Sequence, residues 1–129
     1  MGILYRGCLK VETDRLEEAI AYGHGEFDIE DILGMIESGR MQLYYIEEDD
    51  TYIVTEIVRY PKKTRLRVVL TVGTLNRHTF DFVESIAKAF ELDGIEGLGR
   101  VGWVRALEPY GFKPGYTSVI KDFNEEAVL

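Results

Sequence analysis

Hydrophobic and polar residues alternate with a period of two through the middle of the chain, a pattern typical of strands. Met41–Ile46 and Tyr52–Tyr60 carry this alternation, and the acidic run Glu47–Asp50 separates them. After the turn sequence Pro61–Thr64 comes Leu66–Val72, the most apolar and β-branched run in the chain. We expect the three segments to form a β-meander in which Leu66–Val72 is the central strand.

On both sides of the meander the apolar residues change to the spacing of a helix. One helix is predicted over 13–22, and a second starts at the N-cap Asp28 and ends at Gly39. A third is predicted from about Thr79 to Leu92. Its buried stripe consists of Val83, Ile86, Ala87 and Phe90.

The two ends of the chain add shorter elements. Ile3–Tyr5 and Cys8–Val11 suggest a first strand, a strand is expected near Ile95–Leu98, and a last strand over Tyr116–Phe123. A short helix fits between the last two strands. The order is β-α-α-β-β-β-α-β-α-β in one α+β domain spanning 1–129. Another open α+β sheet or a ferredoxin-like sandwich would also accommodate these elements.

The charge balance limits the partners. The chain has 23 acidic and 15 basic residues, a formal net charge of −8, which disfavours binding to nucleic acid and to anionic membranes. No apolar run approaches the roughly 20 residues of a membrane span. The single cysteine, Cys8, and an N-terminus without a signal-like layout favour a reducing, cytoplasmic setting. His24 and His78 lack neighbours at zinc-ligand spacing, so no metal site is predicted.

The segment Gly94–Phe123 carries the most specific sequence signal. It contains the only tryptophan, Trp103, in a short helix that stops at Pro109, and the chain then turns at Tyr110–Gly111 into Phe112. This ending, together with the element order, resembles the GNAT (N-acetyltransferase-like) fold and is similar to small GNAT-like proteins of tailed phages. The resemblance implies a mostly antiparallel mixed sheet flanked by helices.

The resemblance also implies where a cofactor would lie. In the family, a glycine-rich loop after the central strand opens a helix, and its backbone N–H groups hold the coenzyme A pyrophosphate. The loop Gly73–Thr79 here has one glycine and lacks the Arg/Gln-x-x-Gly-x-Gly pattern, so the side chain of Asn76 would crowd a phosphate. The candidate positions for coenzyme A are Val72, Gly73, Thr74, Asn76 and Arg77. The alternative is an ordinary strand-to-helix connection.

The catalytic pattern of the family is incomplete in this sequence. Many GNAT enzymes place a general-acid tyrosine five residues before the Phe of the Gly-Phe pair, and this chain has Leu107 there. Tyr110 could supply a proton instead, or could be a packed turn aromatic. Glu56 could act as a base from the second meander strand, or could be a solvated strand residue.

Two further features have a structural and a functional interpretation. Gly97–Gly102 fits G-x-G-x-x-G, but too little chain follows for a dinucleotide-binding unit, so a loosened strand with its exit turn is the better interpretation. Arg100, Trp103 and Arg105 are candidates for partner binding, since Arg and Trp are frequent at interface hot spots. Core packing is the alternative for Trp103.

Two functions follow from these features. The first is a GNAT-like protein that has lost catalysis, needs no cofactor and binds a protein partner, encoded by a phage and associated with the virion. The second is an active but atypical N-acyltransferase that uses acetyl-CoA. The glycine-poor loop and Leu107 favour the first.

Overall fold

The secondary structure follows the predicted order up to the last strand. The computed structural model describes residues 2–5, 13–21, 23, 25–99 and 102–123. The strands and helices are β1 (Gly2–Tyr5), α1 (Thr13–Ile20), α2 (Ile29–Glu37), β2 (Gln42–Ile46), β3 (Thr51–Arg59), β4 (Thr64–Val72), α3 (Arg77–Ala89), β5 (Gly94–Gly97) and α4 (Gly102–Leu107). Short 3₁₀ turns cover Glu47–Asp49 and Glu108–Tyr110. The chain divides into two compact units, Met1–Gly99 and Arg100–Leu129, and each is described by itself.

The described residues of the first unit form a sheet in the order β1-β2-β3-β4-β5. The first three pairings are antiparallel, and β5 joins β4 in parallel. The prediction that β4 lies inside the sheet is confirmed. Its parallel pairing covers only Arg65–Val68 against Gly94–Gly97, so β4 continues to Val72 beyond its pairing with β5.

A bulge between β3 and β4 changes which face the β4 side chains reach. Val54 pairs with Leu70 and Thr55 with Val68, so Val69 is the extra residue. Before the bulge, Leu66 packs on the side of α3. After it, Leu70 packs on the side of α1 and α2. The bulge therefore changes the face of the sheet that every second side chain of β4 reaches.

Two hydrophobic cores lie on opposite faces of this sheet, because neighbouring residues of β2 and β3 belong to different clusters. The first core, under α1 and α2, contains Leu16, Ile32, Ile36, Met41, Leu43, Tyr52, Val54 and Val69. The second, under α3, contains Tyr44, Ile46, Ile53, Leu66, Val83, Ile86 and Ala87. The predicted stripe of the third helix is therefore confirmed at Val83, Ile86 and Ala87, whereas Phe90, the C-cap residue, is 54% exposed.

The helix boundaries of α2 follow the residues predicted for them. The Asp28 carboxylate accepts from the backbone N–H of Asp31 at 2.9 Å, and Asp31 accepts in return from Asp28 at 3.0 Å. Gly39 follows the C-cap with φ of 83°, a left-handed conformation that favours glycine. Among the described residues, no helix is both long enough and apolar enough to cross a membrane.

The predicted last strand is wrong. Residues 116–123 form neither helix nor strand, and Tyr116, Val119 and Phe123 are largely exposed. A strand needs a hydrogen-bonded neighbour, and β5 is the last strand of the sheet. The helix boundaries differ less: α3 spans Arg77–Ala89 rather than Thr79 to Leu92, and α1 ends at Ile20, before the predicted end. The predicted strand residues 8–11 lie outside the described residues, as does Tyr22, the predicted last residue of the first helix.

Candidate functional site

The loop between β4 and α3 is closed by its own side chains. The Asn76 side chain accepts from the backbone N–H of Thr79 at 3.1 Å, so Asn76 is the N-cap of α3. The sequence predicts that this helix begins at about Thr79. Thr79 is fully buried, and its hydroxyl donates to the carbonyl of Thr74 at 3.2 Å. The first turn of α3 is therefore stabilised without any ligand.

A carboxylate of the protein lies at the start of α3. The amide of Asn76 donates to one oxygen of Asp49 at 3.1 Å, and Nδ1 of His78 is 2.8 Å from the other oxygen. The side chain of Asp49 is only 15% exposed, whereas that of His78 is 52% exposed. Hydrogen bonds first from His78 and then from Asn76 hold the pKa of Asp49 below its usual value.

The single glycine of the loop packs against the same acidic turn. Gly73 has φ of 125°, and a Cβ built there would lie 2.6 Å from the carbonyl oxygen of Asp50 and 2.8 Å from Cα of Thr51. The hydroxyl of Thr51 donates to the carbonyl of Thr74 at 2.8 Å. Glycine is thus required at this position by internal packing.

The turn is held from its other side by α1. One guanidinium nitrogen of Arg15 donates to the Asp50 carboxylate at 2.9 Å and another to its backbone carbonyl at 2.8 Å. The Tyr45 hydroxyl donates to the same carboxylate at 2.8 Å, and this hydrogen bond is the main reason that the pKa of Tyr45 rises to about 12. The ring of Tyr45 also lies 4.7 Å from that of Tyr52.

The turn Glu47–Asp50 is therefore more than the solvated connection that its composition suggests. Asp49 reaches α3 and Asp50 reaches α1, so the turn ties together elements that are distant in sequence. Sequence reasoning missed this role. The only local signal is Asp50, whose φ of 47° is a left-handed conformation that Asp tolerates better than most residues.

The other positions predicted for coenzyme A are spread around this loop. Val72 packs against the core under α1 and α2. The carbonyl of Thr74 accepts hydrogen bonds from two threonine hydroxyls. Arg77 is 76% exposed and lies 3.3 Å from Asp81, one turn along α3. The structure therefore brings Gly73, Thr74 and Asn76 together with Asp49 and places Arg77 on the outside of the helix.

Glu56, the candidate base, lies in a row of charges that crosses the sheet. Its carboxylate is 3.7 Å from Arg67 and 3.8 Å from Arg40. Arg67 donates to Glu96 at 2.9 Å, and the Tyr60 hydroxyl donates to the same carboxylate at 2.9 Å. Burial opposes the charge of Arg67, but the hydrogen bonds with Glu96 and Tyr60 raise its pKa above its usual value. Glu56 is thus held between two cations.

The second unit contains the remaining candidates. Trp103 is half-buried and Arg105 is exposed, both on α4, while Arg100 lies outside the described residues. Tyr110 is half-buried at the end of the 3₁₀ turn, just before Gly111 with φ of 89°. The backbone N–H of Phe112 donates to the carbonyl of Leu107 at 3.4 Å. In the part of the chain that the structure describes, no three His, Cys, Asp or Glu side chains come together as a metal site would require.

Comparison with known proteins gives the fold. No family model matches the sequence, and no curated protein is significantly similar to it. Among solved structures, a probable acetyltransferase has a TM-score of 0.62 at 13% identity over 95% of this chain and 99% of that one. The chain has the GNAT acetyltransferase fold. The ribosomal-protein-alanine N-acetyltransferase of Brucella melitensis has a TM-score of 0.60 at 9% identity, covering 87% and 94% of the two chains.

A third solved structure is also similar over almost the full length of both chains. Glucosamine-6-phosphate N-acetyltransferase from Arabidopsis thaliana has a TM-score of 0.54 at 12% identity, covering 96% of this chain and 99% of that one. At these identities the likeness concerns the fold.

Proposed function

We propose that this chain is a GNAT-fold protein that has lost acyl transfer and serves as a binding or assembly component. The observation that carries the proposal is the Asp49 carboxylate at the start of α3, held by Asn76 and His78. In the resembling fold, that position is where the anionic pyrophosphate of coenzyme A would meet the helix.

Charge opposes a pyrophosphate at this position. Like charges repel each other, and this repulsion is weakened less beside a protein than in bulk water. Asp49 has a lowered pKa and is ionised at neutral pH, so it presents a charge of the same sign as the phosphates. The net charge of −8 adds long-range repulsion.

The packing of the loop between β4 and α3 also opposes the binding of a pyrophosphate. The Cβ side of Gly73 faces the backbone of Asp50 and Thr51 at distances that leave no room for a Cβ, so this glycine serves the packing of the loop on the turn. Arg77, the nearest cation of the loop, is paired with Asp81. Hydrogen bonds and packing within the protein hold the loop between β4 and α3 in place, which supports a role that requires no cofactor.

A protein partner is the second part of the proposal. Tyr116, Val119 and Phe123 are exposed on residues 116–123, and Arg105 is exposed on α4. Exposed apolar side chains are typical of interaction segments, and Arg is frequent at interface hot spots. We further propose that the protein is phage-encoded, acts in the bacterial cytoplasm and joins the virion. Mass spectrometry of purified virions, from a phage that carries the gene, tests the virion role. Absence of the protein from these virions would reject that role.

The decisive experiment is calorimetric titration with acetyl-CoA. We expect no measurable binding by the wild-type protein and a measurable gain in Asp49→Asn, which keeps the shape of the side chain and removes its charge. Glu84→Gln on the exposed side of α3 is the matched control and should not gain binding. A submicromolar dissociation constant for the wild type, stronger than about −8 kcal/mol, would overturn the proposal.

One observation favours the alternative, an atypical acetyl-CoA-dependent N-acyltransferase. The pairing of β4 with β5 stops at Val68 and Gly97, so β4 extends to Val72 with its β5 side unpaired. An extended ligand could hydrogen-bond to such a strand edge. Release of free thiol from acetyl-CoA in the presence of amine acceptors would support this alternative, provided that Glu56→Gln abolishes the release.

A further inference from the structure

Three exposed cations lie together at the tip of the β3–β4 hairpin. The backbone N–H of Tyr60 donates to the carbonyl of Lys63 at 2.7 Å, which closes the turn around Pro61. Arg59, Lys62 and Lys63 are exposed, and none of them forms an ion pair with another described residue. We call these three residues the basic tip. Proline and the closing hydrogen bond hold its backbone in one conformation.

A complementary surface lies on α1. Asp14, Glu17 and Glu18 are exposed on one side of this helix, and none forms an ion pair within the part of the chain that the structure describes. We call them the acidic stripe. Like charges three and four residues apart destabilise a helix, and acids in its last turn oppose the helix dipole. The last turn of α1 holds no basic residue that would compensate.

We propose that the basic tip of one copy docks on the acidic stripe of a second copy. The inference rests on the assembly role proposed above and names the partner. Both surfaces belong to the first unit, neither has a partner of opposite charge among the described residues, and their charges match at three positive against three negative. The two surfaces differ, so the contact is heterologous and joins copies head to tail into open chains.

Ionic strength determines which interaction is stronger, the attraction between the two facing surfaces or the repulsion between whole molecules. Each copy carries a net charge of −8, so copies repel one another when charges act over long distances. At 0.1 M salt the Debye length is about 10 Å, and mainly the facing charges interact. At 1 M salt it is about 3 Å, and the facing charges are screened as well. Association should therefore be strongest near 0.1 M salt and weaker at both extremes.

Sedimentation velocity over a range of protein concentrations tests the contact. We expect association at 0.1 M salt that fails to stop at a dimer and that is lost at 1 M. Lys62→Gln/Lys63→Gln and Glu17→Gln/Glu18→Gln should each remain monomeric. Mixing these two variants should give a 1:1 complex that grows no further, since one variant supplies only an intact tip and the other only an intact stripe.

The control is Lys88→Gln/Glu84→Gln, which neutralises an exposed ion pair on α3 and should associate like the wild type. A wild-type protein that stays monomeric at all concentrations overturns the inference. So does association that persists in either double variant, or a mixture that forms no complex. An associating protein that also binds acetyl-CoA would keep this inference and reject the proposed function, so the two fail separately.

Discussion

Gly73 has φ of 125° and faces the backbone of the turn that precedes β3. Few residues other than glycine tolerate this conformation, and any Cβ would overlap the carbonyl oxygen of Asp50 and Cα of Thr51. In the resembling fold, glycines in this loop serve a ligand. Here the one glycine serves the contact between the loop and the acidic turn.

Gly73→Ala should destabilise the protein strongly. The left-handed backbone alone costs about 1–3 kcal/mol for a non-glycine residue, and the overlap adds to that cost because the facing atoms are backbone. Urea unfolding followed by circular dichroism measures the loss. Gly94→Ala is the matched control, since its Cβ would meet nothing within 4 Å and its stability should change by less than about 1 kcal/mol. Equal losses in the two variants would contradict the packing role of Gly73.

Tyr45 should titrate above the usual tyrosine pKa of about 10. Its hydroxyl donates to Asp50, and ionisation would place two negative charges together, so its pKa is raised to about 12. The stabilisation that this hydrogen bond gives is complete below the usual tyrosine pKa of about 10 and is lost as pH rises toward 12. Absorbance at the phenolate band between pH 9 and 12.5 should show one late transition that Tyr45→Phe removes. If Tyr45→Phe instead removes a transition near the usual tyrosine pKa of about 10, the hydrogen bond from Tyr45 to Asp50 is rejected.

At the scale of elements, the sequence predicts what periodicity and caps determine. The helical spacing of α1, α2 and α3 and the cap at Asp28 follow from local pattern. The failed strand at 116–123 has a suitable local pattern, but a strand also requires a neighbour, which no local pattern supplies. The site at Asp49 was missed for a similar reason. Its partners are 27 and 29 residues away in sequence.

The stability that comes from the hydrogen bonds between the turn Glu47–Asp50 and α3 should depend on pH. The pKa of Asp49 is lowered in the folded state by His78 and Asn76, so its contribution to stability is present above the usual carboxyl pKa of about 4 and is lost as pH falls through the lower folded value. The midpoint of urea unfolding, measured from pH 6 to pH 2.5, should therefore fall less steeply in Asp49→Asn than in the wild type. Glu30→Gln, at an exposed position of α2, is the control and should follow the wild type. Parallel curves for all three proteins would show that Asp49 is not held as described.

The first unit as a whole is built on one sheet that supports a core on each face. Leu16 contributes to the core under α1 and α2, and Leu66 to the core under α3. The strand β4 contributes to both cores, and the turn Glu47–Asp50 connects α1 and α3 at one end of the sheet. Loss of either core should therefore destabilise the same cooperative structure.

Leu16→Ala and Leu66→Ala should each cost about 2–5 kcal/mol of unfolding free energy, because both side chains are at most 1% exposed and truncation leaves a cavity. A domain of this size has only about 5–15 kcal/mol in total, so the double variant should be close to unfolded at 25 °C. Leu98→Ala is the control, since Leu98 is 57% exposed and its truncation should cost less than about 1 kcal/mol. Urea unfolding followed by circular dichroism gives the three values. A loss for Leu16→Ala as small as that for Leu98→Ala would mean that α1 does not pack on the sheet, and the acidic stripe would then lack the rigid support that docking requires.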